Sequence, residues 1–412
     1  LDWAFKAPDL KDVERRKHYE QGRAFLNHAL LLDARLVEAQ ALRCDLTWDE
    51  ANVRGNWEIF IREADKLLAL DGQNHKTLWR RAMANARLAQ TVKGDHAEKA
   101  LADFRAALKL APDQTDYWLG LAQFHTQASA PQQVRQTFVD ALQANPSSTL
   151  LRVSFADFLR RSNFKEEARK QFEQALQHDP HNALGYLCLA GYYLGENASD
   201  EALAVLEKGK SQAGTDYRLF RDLARIHIRR GQLQQAVQEL RRGLALAATT
   251  RPAEESRAAG EEAQWQMTYL LINSLLDMVQ AKQGDHDALL VQAKQELDRL
   301  PDARRQAPHY AKLAGRVALT EGRNEQAVDL LEKAAAGFGQ TVDQQTANLL
   351  INLYLAQNLP GKAEKIIDRI LSLPGQRTNP AALLAKANLL LRYRDYATAG
   401  RYVQADLQRH PD

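Results

Sequence analysis

Three arginines, Arg218, Arg221 and Arg225, stand at i, i+3 and i+7, with Arg229 one turn further on. That spacing puts them on one side of a helix. A row of planar guanidinium forks suits two-pronged capture of carboxylates or phosphates. It is equally the pattern of a solvated face whose arginines lie over apolar stems and pair with neighbouring acids. A second set recurs at regular intervals: Lys312 and Arg316, then Asn348 and Asn352, then Asn388. A carboxamide donates and accepts together, which suits recognition of a peptide backbone without regard to its sequence. The alternative is that asparagine is an ordinary surface residue. His178 and His181 form a His-Asp-Pro-His run that offers two metal ligands with no third in view, the pattern of solvated turn residues. There is no glycine-rich phosphate loop, H-E-x-x-H, C-x-x-C or G-x-S-x-G motif. Pairs such as those among Lys165, Glu166, Glu167 and Lys170 read as solvated helix faces. The sequence therefore predicts no catalytic residue, no metal site and no cofactor.

The elements that would carry these residues follow from a repeat. Pro112, Pro146 and Pro180 lie 34 residues apart. Counting from Thr115 as position 1, Trp118, Leu121, Ala122 and His125 fall at positions 4, 7, 8 and 11, with Val134, Phe138 and Ala141 at 20, 24 and 27. The next copy places Arg152, Phe155, Ala156 and Leu159, then Ala168, Phe172 and Ala175, at the same positions. The copy after it has Tyr186, Leu189, Ala190 and Tyr193, then Ala202, Leu206 and Gly209, with Gly214 in place of proline. Two amphipathic helices per unit explain the pattern, since large residues fill the space between helices and small ones let the backbones touch. The proline stops the second helix and opens the turn to the next unit. Weaker copies flank these, one with Trp79, Ala82, Met83 and Ala86 and an insertion near Thr91 to Ala97. Others hold Phe220, Leu223, Ala224 and His227, or Ala311, Ala314, Gly315 and Ala318. A degenerate helix pair is expected over Val13 to Leu46, followed by a helix from Trp48 to Leu70. A diverged helix in the second half carries Leu271, Ser274, Leu275 and Met278.

At these residues the chain resembles the tetratricopeptide repeat family, whose 34-residue helix–turn–helix units have W/L/G/Y and then A/F/A/P landmarks. The resemblance implies an all-α, right-handed α-α superhelical solenoid of about nine to ten units. In this family the first helices line the concave surface, and their positions 2, 5, 9 and 12 point into it. Those positions hold Arg218, Arg221 and Arg225 in one unit, Arg80, Arg87 and Arg160 in earlier ones, and Leu184, Leu187, Gly191 and Leu194 between them. An apolar strip beside a basic one fits an amphipathic peptide with acidic residues. Lys312, Arg316, Asn348, Asn352 and Asn388 fall at positions 5 and 9, and this ladder is similar to members that grip an extended peptide by its main-chain amides. It departs from the clamp used by chaperone cochaperones, which needs lysine and asparagine at set places in three adjacent units. At the tyrosine landmark, His125 and His227 imply helix packing.

Composition sets the remaining bounds. With 45% hydrophobic and 26% charged residues the chain reads as a soluble folded protein. A balance of 55 basic against 52 acidic residues gives no global field for nucleic acid or membrane. No run of 18 apolar residues is present, and Cys44 and Cys188 lie too far apart along an array to be bridged. The expected organisation is a lead-in over 1–12, one block over 13–248, a linker or extended helix start over 249–262, and a second block over 263–412. The chain begins at Leu1 and closes on a unit boundary at Asp412, which leaves an upstream signal or anchor and further downstream protein open. A general likeness of texture to long bacterial repeat proteins favours an envelope-associated or periplasmic scaffold in exopolysaccharide assembly, binding protein or peptide partners. The rivals are an RNA-processing scaffold of half-a-tetratricopeptide repeats and a helper domain of a larger enzyme.

Overall fold

Alternating small and large residues at helical spacing predict paired helices, and the computed structural model is built from them. It describes residues 12–249, 257–338, 343–373 and 379–392. The lead-in with Trp3, Phe5 and Pro8 lies outside the described residues, as do residues 250–256 and the expected final helix with Ala399 and Val403. Among the described residues there are 21 helices and no strand. The chain divides into two compact units, Leu1–Thr215 and Asp216–Asp412.

The first unit opens with α1 (Asp12–Leu32), which lies against α2 (Val37–Arg54). Five pairs follow: α2 with α3 (Trp57–Leu70), α4 (His75–Leu88) with α5 (His96–Leu110), α6 (Thr115–Gln127) with α7 (Pro131–Ala144), α8 (Thr149–Arg161) with α9 (Lys165–His178), and α10 (Ala183–Gly195) with α11 (Ser199–Gln212). The expected division at Leu46 and Trp48 falls inside α2. The helix breaks instead at Gly55, whose φ of 77° caps it in the left-handed conformation. Residues 89–95 form the longer connection expected between α4 and α5.

The second unit pairs α12 (Tyr217–Arg229) with α13 (Leu233–Thr249) and α14 (Arg257–Gln280) with α15 (His286–Asp298). The short α16 (Asp302–Arg305) leads to α17 (Pro308–Thr320) with α18 (Asn324–Gly337), α19 (Gln344–Ala356) with α20 (Pro360–Ser372), and then α21 (Pro380–Arg392). Residues 257–262 are the opening turns of α14, and Leu240 of α13 shares one buried cluster with Met267, Leu271 and Leu275.

The small landmarks do what their size permits. Ala168, Ala175, Ala202, Ala236 and Ala327 are fully buried, alongside Phe172, Leu206 and Leu240. At Gly315 a methyl group would come within 2.8 Å of Leu331 Cγ, so α17 and α18 approach at a point where a side chain does not fit.

The turn inside six of the nine described pairs repeats to the residue. Ser129, Asn163, Asn197, Gly231, Gly322 and Asn358 each stand fourteen residues after the start of a first helix, and all have φ between 53° and 76°. The following amide donates to the carbonyl five residues back: Ala130 to His125 at 3.0 Å, Phe164 to Leu159 at 2.8 Å, and Ala198 to Tyr193 at 2.9 Å. This is the Schellman closure, which satisfies carbonyls that the helix end leaves over. Glycine enters the left-handed region without cost and asparagine with little, whereas serine has no such ease. Ser129→Gly is therefore expected to stabilise the first unit by ~0.5–1 kcal/mol, the relief of strain less the extra chain entropy. Chemical denaturation of the two proteins would show it, and an unchanged or lower midpoint would remove the argument.

Candidate functional site

On α12 and α19 the charged and carboxamide residues gather on the face that packing leaves uncovered. On α12, Leu219, Phe220, Leu223, Ala224, Ile226 and His227 are buried. The helix starts at Asp216, whose carboxylate accepts the Arg218 amide at 2.9 Å. The Arg218 guanidinium closes on the same carboxylate through Nε at 2.9 Å and Nη2 at 2.6 Å. Burial pushes the Asp216 carboxyl up, but the hydrogen bonds from Arg218 outweigh it and hold it below the usual range. Arg221 Nε donates to Asp222 Oδ1 at 2.8 Å, and Arg225 Nη1 lies 3.7 Å from that same oxygen. Side-chain exposure is 42% at Arg218, 20% at Arg221 and 47% at Arg225. The three arginines thus share one face, and among the described residues their ion pairs are with two aspartates of their own helix and its cap.

Arg80, Arg87 and Arg160 are placed differently. Arg80 is bound to Asp45 of α2 and lies 5.4 Å from the Trp48 ring. Arg87 lies 4.5 Å over Trp57 and lines a cavity of about 250 Å³ between α4 and α6, together with Gln90, Gln123 and Gln127. Arg160 shares Asp157 with Arg161, at 2.6 and 2.7 Å. The fold does not bring these three together. On α10, Leu184, Leu187 and Leu194 are half-buried, and a methyl group added at Gly191 would meet nothing within 4 Å.

Lys312 and Arg316 are buried, each committed to a neighbouring element. Lys312 donates to Asp343 at 3.0 Å and lies 5.9 Å from the Tyr269 ring centre. Arg316 donates to Asn273 and Asp277 of α14. Asn348, Asn352 and Asn388 are exposed and make no hydrogen bond among the described residues. The 13-residue helix α19 has no charged residue, and Leu384 and Leu391 on α21 are 54% and 43% exposed. A cavity of about 420 Å³ between α14, α17 and α19 is lined by Leu276, Val279, Leu319 and Leu349.

Asp343 has two tasks. It caps α19, accepting from the Thr346 amide at 2.8 Å and hydroxyl at 2.6 Å, while holding Lys312. Burial raises its carboxyl, but these donors prevail and it sits below its ordinary value of 3.8. A depressed carboxylate contributes stability that is complete above the unfolded value and lost as pH falls through the folded one. Asp343→Asn is expected to cost roughly 1–2 kcal/mol at neutral pH. The difference from wild type should narrow only below about pH 4. Denaturation midpoints of both proteins from pH 7 to pH 3 test this. A gap independent of pH would show that the charge has no part.

The histidines have separate partners. His178 Nε2 lies 3.1 Å from Arg152 Nη2, and His181 Nδ1 donates to the Gln212 carbonyl at 2.9 Å. His227 is buried with Nδ1 2.8 Å from Gln232, in the packing position expected of it. No group of three or more His, Cys, Asp or Glu side chains able to hold a metal stands among the described residues. Cys44 and Cys188 are not joined in a disulfide, and burial pushes the Cys44 thiol up to about 12. No helix among the described residues is long and apolar enough to cross a membrane.

Sequence reasoning missed the partners on α14. Trp265, Tyr269, Asn273 and Asp277 recur every four residues and receive Arg304, Lys312 and Arg316. That spacing was visible in the sequence, but the length of α14, 24 residues, was not.

Residues 91–149 and 155–217 match a family model described as tetratricopeptide repeat. Among curated proteins none matches. The APC/C hetero-tetramer Cut9-Hcn1 is similar at 14% identity over 95% of this chain and 79% of that one, with a TM-score of 0.46. Yeast Tom70 is similar at 13% identity over 96% and 89%, with a TM-score of 0.41. PilF of Pseudomonas aeruginosa is similar at 16% identity over 55% and 91%, with a TM-score of 0.40.

Proposed function

This chain carries tetratricopeptide repeats, and from that premise we propose that it is a non-enzymatic scaffold that binds protein or peptide partners on the free faces of its first helices. The observation that carries the reading is α12. It presents Arg218, Arg221, Arg225 and Arg229 on one side, and the ion pairs of the first three among the described residues reach only Asp216 and Asp222. An acidic segment is the partner such a face selects, because charge complementarity steers encounter and sets register. Exposed Asn348, Asn352 and Asn388, beside Leu384 and Leu391, supply a second, neutral contact suited to a peptide's main chain and aliphatic side chains. Arg80, Arg87 and Arg160 are separate basic contacts in the first unit, and in the second Lys312 and Arg316 tie α17 to its neighbours. The leucine-, alanine-, arginine- and glutamine-rich texture of imperfect consecutive units supports a place in a bacterial envelope or exopolysaccharide system.

The test replaces Arg218, Arg221 and Arg225 by glutamate and uses both proteins as bait in native cell extract. Exposed ion pairs are worth up to about 1 kcal/mol, so helicity and melting should hardly change. A protein captured by wild type and absent from the variant is the expected result. Loss of fold in the variant would show that the arginines are structural. RNA or glycan in the differential eluate would overturn the adaptor reading.

A further inference from the structure

An anion that docks on α12 meets four guanidinium groups, at Arg218, Arg221, Arg225 and Arg229, and two carboxylates, at Asp216 and Asp222. Four positive charges less two negative leave +2 on the face. Arg230, the capping residue at the far end, has an interaction of its own. Arg229 is exposed with no ion pair among the described residues. Arg221 and Arg225 converge on one oxygen, Asp222 Oδ1, at 2.8 and 3.7 Å, so two forks are already gathered about a single acceptor position.

A glutamate or aspartate side chain brings one charge and two acceptor oxygens, and leaves half of this excess uncompensated. A phosphorylated serine or threonine brings about −1.5 to −2 at neutral pH and three acceptor oxygens. That matches the charge and offers an oxygen to each of the two converging forks, and guanidinium meets phosphate in the same two-pronged geometry as carboxylate. Base stacking has no platform here, since Phe220 is buried and Tyr217 packs against the core. Nor has the helix an apolar residue to insert into a bilayer, since Ile226 is buried and Ile228 packs on the same core. Resting on the adaptor reading above, we propose that the arginine face of α12 docks a phosphorylated side chain of a protein partner, held chiefly by Arg221 and Arg225 at the place where both forks meet the Asp222 carboxylate.

The experiment uses the full chain and three fluorescein-labelled peptides of one Gly-Ser-Glu frame, differing only in a central phosphoserine, glutamate or serine. Fluorescence anisotropy should show the phosphopeptide binding roughly tenfold more tightly than the glutamate peptide. That advantage should vanish in Arg221→Gln/Arg225→Gln, with circular dichroism unchanged. Asp222→Asn, which raises the face to +3, should tighten phosphopeptide binding and guards against a double variant that fails to fold. Equal affinity for glutamate and phosphoserine, with both lost in the double variant, would overturn the phosphate preference and leave acidic docking standing. No binding of any peptide to wild type would overturn both. Displacement of the phosphopeptide by a short single-stranded RNA, or by vesicles containing a phosphoinositide, at lower concentration than by unlabelled phosphopeptide would also overturn the proposal.

Discussion

Cutting Phe104 back to alanine should remove about 3–5 kcal/mol from the stability of the first compact unit. Its side chain is fully buried on α5, packed among Ala82, Ala86, Ala107 and Leu121. Its ring lies 5.9 Å from that of Phe124 on α6. Opposite it, the chain has Gly120, where a methyl group would already stand 3.1 Å from the phenyl edge. Three helices meet at this ring, each stiffened by its own backbone hydrogen bonds, so the space it vacates closes only in part. The cost is the lost transfer of the ring plus a persistent void. Equilibrium denaturation measures the total, and amide exchange locates it: residues 78–121 should lose protection while residues 267–300 keep theirs. A loss under about 1 kcal/mol would mean that the alanines collapse into the gap.

Arg81→Met should cost about 3 kcal/mol, well above what a surface ion pair gives. Arg81 on α4 reaches Asp103 on α5 through Nε and Nη2, both at 2.7 Å, and Asp65 on α3 through Nη1 at 2.5 Å. The Asp103 hydrogen bonds raise the arginine's own ionisation further, ahead of the opposing effect of burial. Asp103 has only 9% of its side chain exposed, so the variant strands a carboxylate that water reaches poorly. The expense is that stranded charge more than the lost attraction. Adding Asp103→Leu to Arg81→Met should therefore recover most of the loss. The double-mutant cycle decides between the accounts. No recovery would show that the guanidinium acts through its packing.

How far the sequence could be read depends on whether a position is governed by its own unit or by a neighbour. Trp118, Phe138, Phe155, Phe172 and Tyr186 were placed by periodicity alone, since a 34-residue spacing of large and small residues has one packing solution. At Gly231 and Gly322 the residue type itself announces left-handed backbone. Asn163, Asn197, Asn358 and Ser129 hold the same conformation and went unread, since their types are ordinary surface residues. The break at Gly55 was missed because Trp48 looked like the start of a new periodic run, whereas α2 continues through it.

The candidate site was less legible. Lys312 and Arg316 fall at the same register as Asn348 and Asn352, and register alone gave both pairs one orientation. The structure separates them, because α14 runs far enough to lay Tyr269, Asn273 and Asp277 across the lysine and arginine, whereas the asparagines remain exposed. The identity of a neighbour's side chain at a given height is a tertiary fact, and no unit's own sequence contains it. The reverse holds for α12, whose aspartates at the cap and at position 222 lie within its own few residues.

The apolar contacts of this protein are parcelled into clusters, one among α4 to α6, another centred on α13 to α15, another reaching from α17 to α21. Within each compact unit a helix pair touches chiefly the pairs before and after it. Tension applied across one unit would accordingly pass through its pairs in series, and the weakest junction would yield alone. A pulled molecule should lengthen in steps, each releasing one 34-residue unit, about 110–120 Å of extended chain. The restoring force would be nearly independent of how many units had already opened.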